Sequence, residues 1–421
     1  MPSARSAYLH IPFCHRRCFY CDFAVVPLGD QAGAEPGKPG AASIAAYLGL
    51  LQREIASSPW GPPLHTVYLG GGTPSLLSPD QVDALLQALD HRFGLAAGAE
   101  ISLELDPASF DQQRLGGYLH AGINRVSLGG QSFDDQVLAS LGRRHRHGDL
   151  QQAIAWLQQA QRQGDLSSWS LDLIQAVPAV AGASAPPDLA AWQAQLQQAI
   201  ASGAPHLSVY ELTLEPGTVF GRRSQRGQLQ LPDDDLAADQ LELTSASLGA
   251  AGYGRYEVSN YALPGHASRH NRVYWSGADW WAFGLGATSC LGGQRLARPR
   301  TREAYAAWVQ ELEAHPHATG TPSRLPLDER LLVGLRRREG VVLASLLDQA
   351  GLSQEPSLLG ALAQRLQHER DAGLLLLEGN RWRLSDPAGL GLSNAVLRSL
   401  LRALGPAGSE PTAAGPQAPA P

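Results

Sequence analysis

AYLHIPFCHRRCFYC, residues 7–21, joins a short apolar run to a loop that holds three of the chain's four cysteines. The run AYLHI reads as a strand that Pro12 brings to an end. The thiols that follow, Cys14, Cys18 and Cys21, have the spacing C-x3-C-x2-C, and Cys290 lies far away. The segment before the strand lacks the apolar region of a secretory signal, and no apolar run reaches membrane-spanning length. The reading is therefore cytoplasmic, where clustered cysteines are metal-binding or catalytic more often than disulfide-bonded. Three thiolates leave one metal position without a protein ligand. On a cubane [4Fe–4S] cluster that is one iron open to a small molecule. A zinc knuckle completed by His10 or His15 is the alternative. Three unrelated core cysteines would not fall at this spacing in a chain with so few. Phe13, Phe19, Tyr20 and Phe23 interleave with the thiols and would keep water from a cluster.

Downstream of the cysteines, apolar runs alternate with helical patterns. Strand candidates are residues 7–11, 65–70, 101–105, 124–129, 169–174 and 206–212. Amphipathic stretches such as SPDQVDALLQALDHRF and GDLQQAIAWLQQAQRQ lie between them. Strand–helix alternation repeated about six times predicts parallel strands with crossover helices, in a doubly wound or a barrel-like α/β sheet. In either, ligands sit at the C-terminal strand ends. The expected domains are a barrel core over 1–254, a Trp- and Gly-rich barrel-closing segment over 255–321, a small helical, winged-helix-like domain over 322–402 and a disordered Pro/Ala/Gly tail over 403–421. In the third, LLLLEGNRWRLS reads as a hairpin turning at Glu378-Gly379-Asn380. The net charge is −6 and Lys38 is the only lysine, so no basic blanket suggests nucleic acid. The one dense basic cluster is Arg143-Arg144-His145-Arg146-His147.

C-x3-C-x2-C directly after a first strand resembles the radical S-adenosylmethionine (SAM) superfamily. The fuller string YLHIPFCHRRCFYCDF resembles its branch of oxygen-independent coproporphyrinogen III oxidases and their relatives. The resemblance implies a partial (β/α)6 barrel, with a [4Fe–4S] cluster on Cys14, Cys18 and Cys21 and with SAM chelating the open iron. It also carries over SAM contacts, each at a strand end. Gly71, Gly72 and Thr73 in LGGGTPS match the segment that meets SAM's amino end, and Glu104 in LELDP matches a ribose acceptor. Gln131 in SLGGQSF and Asp172 in SLDLIQAVP match residues facing SAM. Gly130 stands where relatives carry a β-branched residue, which should loosen the backbone; DLIQAVP departs from the usual DLIYGLP. Arg143 in LGRRH matches an arginine that would clamp SAM's carboxylate through paired hydrogen bonds. Tyr8 matches a tyrosine packed on the sulfonium side, and Tyr20 joins the cofactor-binding set; GLGATS (284–289) resembles the last barrel segment.

Within that branch the resemblance implies a heme carrier over an oxidase. Phe23 stands where the oxidases carry a further cysteine, about six residues precede the first strand in place of a long extension, and HNRVYW (270–275) matches the HNxxYW motif of the heme chaperones. His270 could ligate heme iron, Tyr274 and Trp275 could wall the porphyrin, and His266 and Cys290 are weaker second ligands. A histidine beside two aromatics is also an ordinary core arrangement. The expected cofactors are thus the cluster, SAM and heme. The expected partners are a heme-acceptor protein, a flavodoxin or ferredoxin if SAM is cleaved, no nucleic acid, and a membrane only peripherally through the acceptor. Coproporphyrinogen III oxidase is the alternative. A radical SAM RNA-modifying enzyme is the second, disfavoured because Arg336-Arg337-Arg338 is offset by nearby acids.

Overall fold

The computed structural model describes residues 3–315, 323–352 and 357–405. The expected tail lies outside the described residues from 406 on, as does the boundary at 321/322. The chain divides into two compact units, one of residues up to Ala237 with Asp279–Ser323, the other of Ala238–Ala278 with Arg324 onward. The stretch 255–321, read above as one barrel-closing segment, is therefore shared between them, with the break at 278/279.

The first unit is built on parallel strands β1 (Ser6–Ile11), β2 (Leu64–Gly71), β3 (Leu95–Leu105), β4 (Arg125–Gln131), β5 (Ser168–Gln175), β6 (His206–Glu211) and β7 (Trp281–Phe283). Their spatial order is β7-β1-β2-β3-β4-β5-β6. From β1 to β6 the order follows the sequence without reversal, as in a partial (β/α)6 barrel; a doubly wound sheet would reverse at a switch point. Crossovers are made by α1 (Ala41–Ser57), α2 (Pro79–Phe93), α3 (Gln112–His120), α4 (Asp135–Ser140), α5 (His147–Gln163) and α6 (Leu189–Ala201). Both faces of the strands are covered, so they read as near-continuous apolar runs; Leu9, Val67, Leu103, Val126, Leu171 and Leu207 are all fully buried. α1 packs Ile44, Leu48, Leu51 and Ile55 inward at helical spacing. α2 starts in a capping box between Ser78 and Gln81 with Pro79 at its first position, which satisfies two of its free amide groups. The loops after β2, β3 and β4 are short, while those after β1, which carries the cysteines, and after β5 are longer.

In the second unit, strands Gly254–Arg255 and Asn260–Ala262 pair antiparallel ahead of helix Arg269–Ser276. Helices Leu327–Leu335, Leu343–Gln349 and Ser357–Arg365 follow, with a three-stranded antiparallel sheet in the order Val341–Val342, Arg381–Leu384, Leu375–Glu378, and a last helix, Ser393–Leu404. The hairpin turns where the Glu378-Gly379-Asn380 run places it, with Glu378 opposite Arg381 and Gly379 at φ 61°. Leu331, Leu335, Leu347, Trp382, Val396 and Leu400 form its core. Helices with a small wing match the winged-helix-like expectation.

Candidate functional site

The cysteine loop is pinned by backbone hydrogen bonds on every side. Val26 N donates to Pro12 O at 2.7 Å, Leu28 N to Cys14 O at 2.8 Å, Gly29 N to His15 O at 3.0 Å, and Phe19 N to Leu141 O at 3.0 Å. Phe220 N donates to Phe19 O, and the Arg223 guanidinium lies 5.1 Å from the centre of the Phe19 ring. Cys14 is buried, while Cys18 and Cys21 are partly exposed. Burial pushes the Cys14 thiol up to about 12, against the pull of a Thr73 hydrogen bond and the Arg143 charge, and pushes Cys21 up to about 11. The three sulfurs and Arg143 feel one another's charge, so they form one electrostatic cluster. A metal cluster binding here must displace the thiol protons.

Gly71 and Gly72 lie against β1 and the cysteine loop. Gly71 has φ 120°, and a Cβ there would fall 2.6 Å from the His10 ring. A Cβ on Gly72 would fall 2.7 Å from Phe13 O and 2.8 Å from Pro12 O, both backbone. Thr73 N also donates to Phe13 O at 2.7 Å. The glycine run is thus needed to lay the β2 loop on the cysteine loop. Gly72→Ala is expected to destabilise the first unit by about 1–3 kcal/mol through that backbone overlap, read as a lower unfolding midpoint together with weaker retention of iron.

A row of polar side chains crosses the sheet beside these loops. The Tyr8 and Tyr68 rings stack at 6.2 Å, and their positions pair in register. Tyr68 O–H donates to Glu104 Oε1 at 3.0 Å, and Gly71 N donates to Oε2 at 2.9 Å. Burial pushes the Glu104 carboxyl up to about 8, partly countered by those two donors. Ser127 Oγ donates to Asp172 Oδ2 at 2.7 Å and Ser170 Oγ to Oδ1 at 3.3 Å; burial holds Asp172 above the usual carboxylate range. Gln131 adopts φ 63°, and the β4–β5 ladder shifts register between Leu128 and Gln131. The space that a side chain at Gly130 would take is filled by Leu171 and Leu150.

Arg143 does more than its match implies. Its Nη2 pairs with Asp106 Oδ2 at 2.7 Å and donates to Gly129 O at 2.9 Å, and Nη1 reaches Cys18 Sγ at 3.6 Å. Its buried Nε has no hydrogen-bond partner among the described residues. Tyr20 also borders Cys18 and Arg143, and its burial drives the phenol pKa upward. Asp106 escaped the sequence reading although it follows Glu104 by two residues. Burial opposes its charge, but Arg143, His145 and the Ala108 amide hold the carboxyl well below its usual range. His10 was missed as an anchor. Its Nε2–H donates to Ala24 O at 2.8 Å, so Nδ1 accepts from Tyr8 O–H at 3.0 Å. Both ring nitrogens are thereby engaged within the protein, which removes His10 as the fourth ligand of a zinc knuckle. The fold brings Tyr8, Tyr20, the cysteines, Gly71–Thr73, Glu104, Gln131, Arg143 and Asp172 to one end of the sheet.

HNRVYW lies in the second unit, on helix Arg269–Ser276, capped by Ser268. His270 is 1% exposed, and its Nε2 shares a 2.8 Å hydrogen bond with the Tyr274 hydroxyl. Asn271 Nδ2 donates to the Tyr256 hydroxyl at 3.3 Å, near buried Glu257. The motif's polar residues thus form an interior network, and Cys290, in the first unit, is fully buried too. Burial lowers the His270 pKa from 6.5 to about 3. The folded chain therefore resists protonating this ring while the unfolded chain accepts the proton. The stability held above pH 6.5 falls as pH drops toward 3, by a few kcal/mol in all. Unfolding midpoints between pH 7.5 and about 4.5 should decline less in His270→Gln than in the wild type.

The radical SAM superfamily profile matches residues 8–169. The chain is 39% identical to the heme chaperone HemW of Synechocystis, over 96% of this chain and 97% of that one. This chain belongs to the HemW family of radical SAM proteins. It is also 36% identical to the heme chaperone HemW of Mycobacterium tuberculosis, over 94% of each chain. The solved coproporphyrinogen III oxidase HemN of Escherichia coli shares the fold, with a TM-score of 0.73 at 21% identity over 95% of this chain and 91% of that one. Membership in the HemW family brings a [4Fe–4S] cluster and SAM. The donor set fits them: three clustered thiols on a firmly held loop, an arginine with an unsatisfied buried Nε, and glycines that admit no side chain beside them. Among the described residues no helix is long and apolar enough to cross a membrane.

Proposed function

We propose that this chain is a heme chaperone that binds heme and transfers it to an acceptor protein. The carrying observation is the relationship to HemW heme chaperones, which runs over 96% of the chain and so takes in both units. Phe23 in place of a further cysteine supports the same reading against the oxidase. In this reading Cys14, Cys18 and Cys21 hold the cluster. SAM's amino end faces Gly71, Gly72 and Thr73, its ribose Glu104, and its carboxylate Arg143, with Tyr8, Tyr20, Gln131 and Asp172 around it. The bound cluster supplies an electron to SAM when SAM is cleaved, and only then is a flavodoxin- or ferredoxin-type donor required. The protein's own part is to orient: Asp106 fixes the Arg143 guanidinium, and the Tyr68–Gly71 pair of donors aims the Glu104 carboxyl. The setting is cytoplasmic, with any membrane contact made through the acceptor.

The test is hemin titration of anaerobically reconstituted full-length protein, followed by mixing with a heme-free acceptor. A heme absorbance band that moves from this chain to the acceptor supports the proposal. Formation of protoporphyrinogen from coproporphyrinogen III would replace it with the oxidase. His270→Ala belongs in the same titration: ligation by this ring requires it to leave Tyr274, and an unchanged heme spectrum removes it as the ligand.

A further inference from the structure

The donors of the Arg143 guanidinium are spent unequally. Nη2 uses both its hydrogens inside the protein, on Asp106 Oδ2 at 2.7 Å and on Gly129 O at 2.9 Å. Nη1 reaches Cys18 Sγ at 3.6 Å, a distance that suits an N–H···S bond to a large sulfur atom. Nε is buried and has no hydrogen-bond partner among the described residues. The five N–H groups lie in one rigid plane, so fixing Nη2 also fixes where Nη1 and Nε point. Asp106 is held in its turn. Its Oδ1 accepts from Ala108 N at 3.0 Å, its amide donates to Ser75 Oγ at 3.2 Å, and its carbonyl accepts from Ser109 Oγ at 2.7 Å. The segments that carry Arg143 and Cys18 are joined beside this contact. Arg143 N donates to Leu138 O at 2.9 Å, Phe19 N donates to Leu141 O at 3.0 Å, and a Cβ on Gly142 would fall 3.0 Å from the Phe19 ring. The approach of Nη1 to the sulfur is thus built into the fold from both sides.

Hydrogen bonds to the sulfurs and the net charge around an iron–sulfur cluster set its reduction potential. We propose that Arg143 donates through Nη1 to the Cys18 sulfur when that sulfur ligates the cluster and thereby raises the cluster's potential, with Asp106 as the positioning residue that aims it. A cationic donor draws electron density from the thiolate and favours the more negative, reduced state. Nε is left for a carboxylate, the end of SAM that meets Arg143 in the reading above. One guanidinium then touches both a cluster ligand and SAM, so reduction and SAM binding are linked, and each shifts the other by the same factor. The assignment rests on Cys18 as a cluster ligand. It goes beyond the heme-carrier reading and needs neither heme nor an acceptor.

The experiment uses full-length protein, anaerobically reconstituted and reduced, with every arginine isotopically labelled in its guanidinium nitrogens. It is run without SAM, so that a lost SAM contact cannot produce the result. Pulsed electron paramagnetic resonance of the wild type should show a hyperfine coupling from a labelled nitrogen to the cluster. Arg143→Lys, which keeps the charge, should abolish that coupling. Asp106→Asn should weaken it at unchanged iron content, because the guanidinium loses its anchor while the thiolates stay. In a redox titration Arg143→Gln should make reduction about tenfold less favourable, equivalent to about 59 mV for one electron. Asp30→Asn is the control: it removes an exposed carboxylate that pairs with Arg16 on the cysteine loop and should leave the coupling intact. A coupling that persists in Arg143→Lys, or a potential unmoved in Arg143→Gln, overturns the proposal and leaves the cluster ligands standing. A wild type that takes up no iron and sulfide overturns the ligand assignment and the proposal with it.

Discussion

Serine at any one of Cys14, Cys18 or Cys21 is expected to cut iron and sulfide from about four of each per chain to about a tenth of that or less after anaerobic reconstitution. In the proposed site three thiolates are the whole protein donor set for a cubane cluster with an open iron. Losing one leaves two irons without a protein ligand. His10 cannot substitute as a donor, because it is committed at both nitrogens to Ala24 and Tyr8. Cys290→Ser is the control: that thiol is fully buried on strand Thr288–Leu291 and should leave the iron content unchanged. In the wild type, added SAM should perturb the cluster's spectrum, and the serine variants should lose that response. Zinc in place of iron and sulfide in the wild type would overturn the cofactor assignment at its root.

Glu54→Ala is expected to destabilise the first unit by about 3–5 kcal/mol, because it strands a buried guanidinium. Glu54 is fully buried on α1. Its Oε1 accepts from Arg298 Nε at 2.8 Å; its Oε2 accepts from Gly284 N at 2.8 Å and from the Tyr305 hydroxyl at 2.5 Å. One carboxylate thereby ties the first helix of the barrel to the loop after β7 and to helix Arg302–Ala314. Tyr47, about two turns earlier on α1, donates to His10 O at 2.6 Å, so the same helix also braces the strand that feeds the cysteine loop. The Glu54→Leu/Arg298→Met double variant removes both charges and should recover most of the loss. Denaturant midpoints at constant m read the effect; a loss below about 1 kcal/mol in Glu54→Ala would show that the pair is not the clasp described here.

The barrel was legible because parallel strands covered on both faces must be apolar over their length, and each apolar run marked its strand within a few residues. β3 starts earlier than its run, at Leu95, because its first residues are mostly small, Ala96, Ala97 and Gly98, and partly or wholly exposed, so they show no strand pattern. α3 was missed because Gly116 and Gly117 break the helical pattern of QQRLGGYLH. A Cβ on Gly117 would fall 2.5 Å from the Pro79 side chain, so packing, not helix propensity, chose that residue. At the site, motif positions named Glu104 and Arg143 but not the partners that aim them. Asp106, His10 and Tyr68 act through contacts between neighbouring strands and loops, and such contacts leave no spacing in the chain to read.

Residue type and order alone determined the parallel α/β class and the clustering of three thiols after the first strand, because periodicity and thiol spacing are local properties of a chain. Only the tertiary structure decided that the strand order is sequential, that Arg143 is held by Asp106, and that the HNRVYW histidine points into the interior. It also decided that the same guanidinium reaches the Cys18 sulfur from 125 residues away. Each of these depends on which side chains meet across elements, where burial and pairing energies are settled, and not on their separation along the sequence.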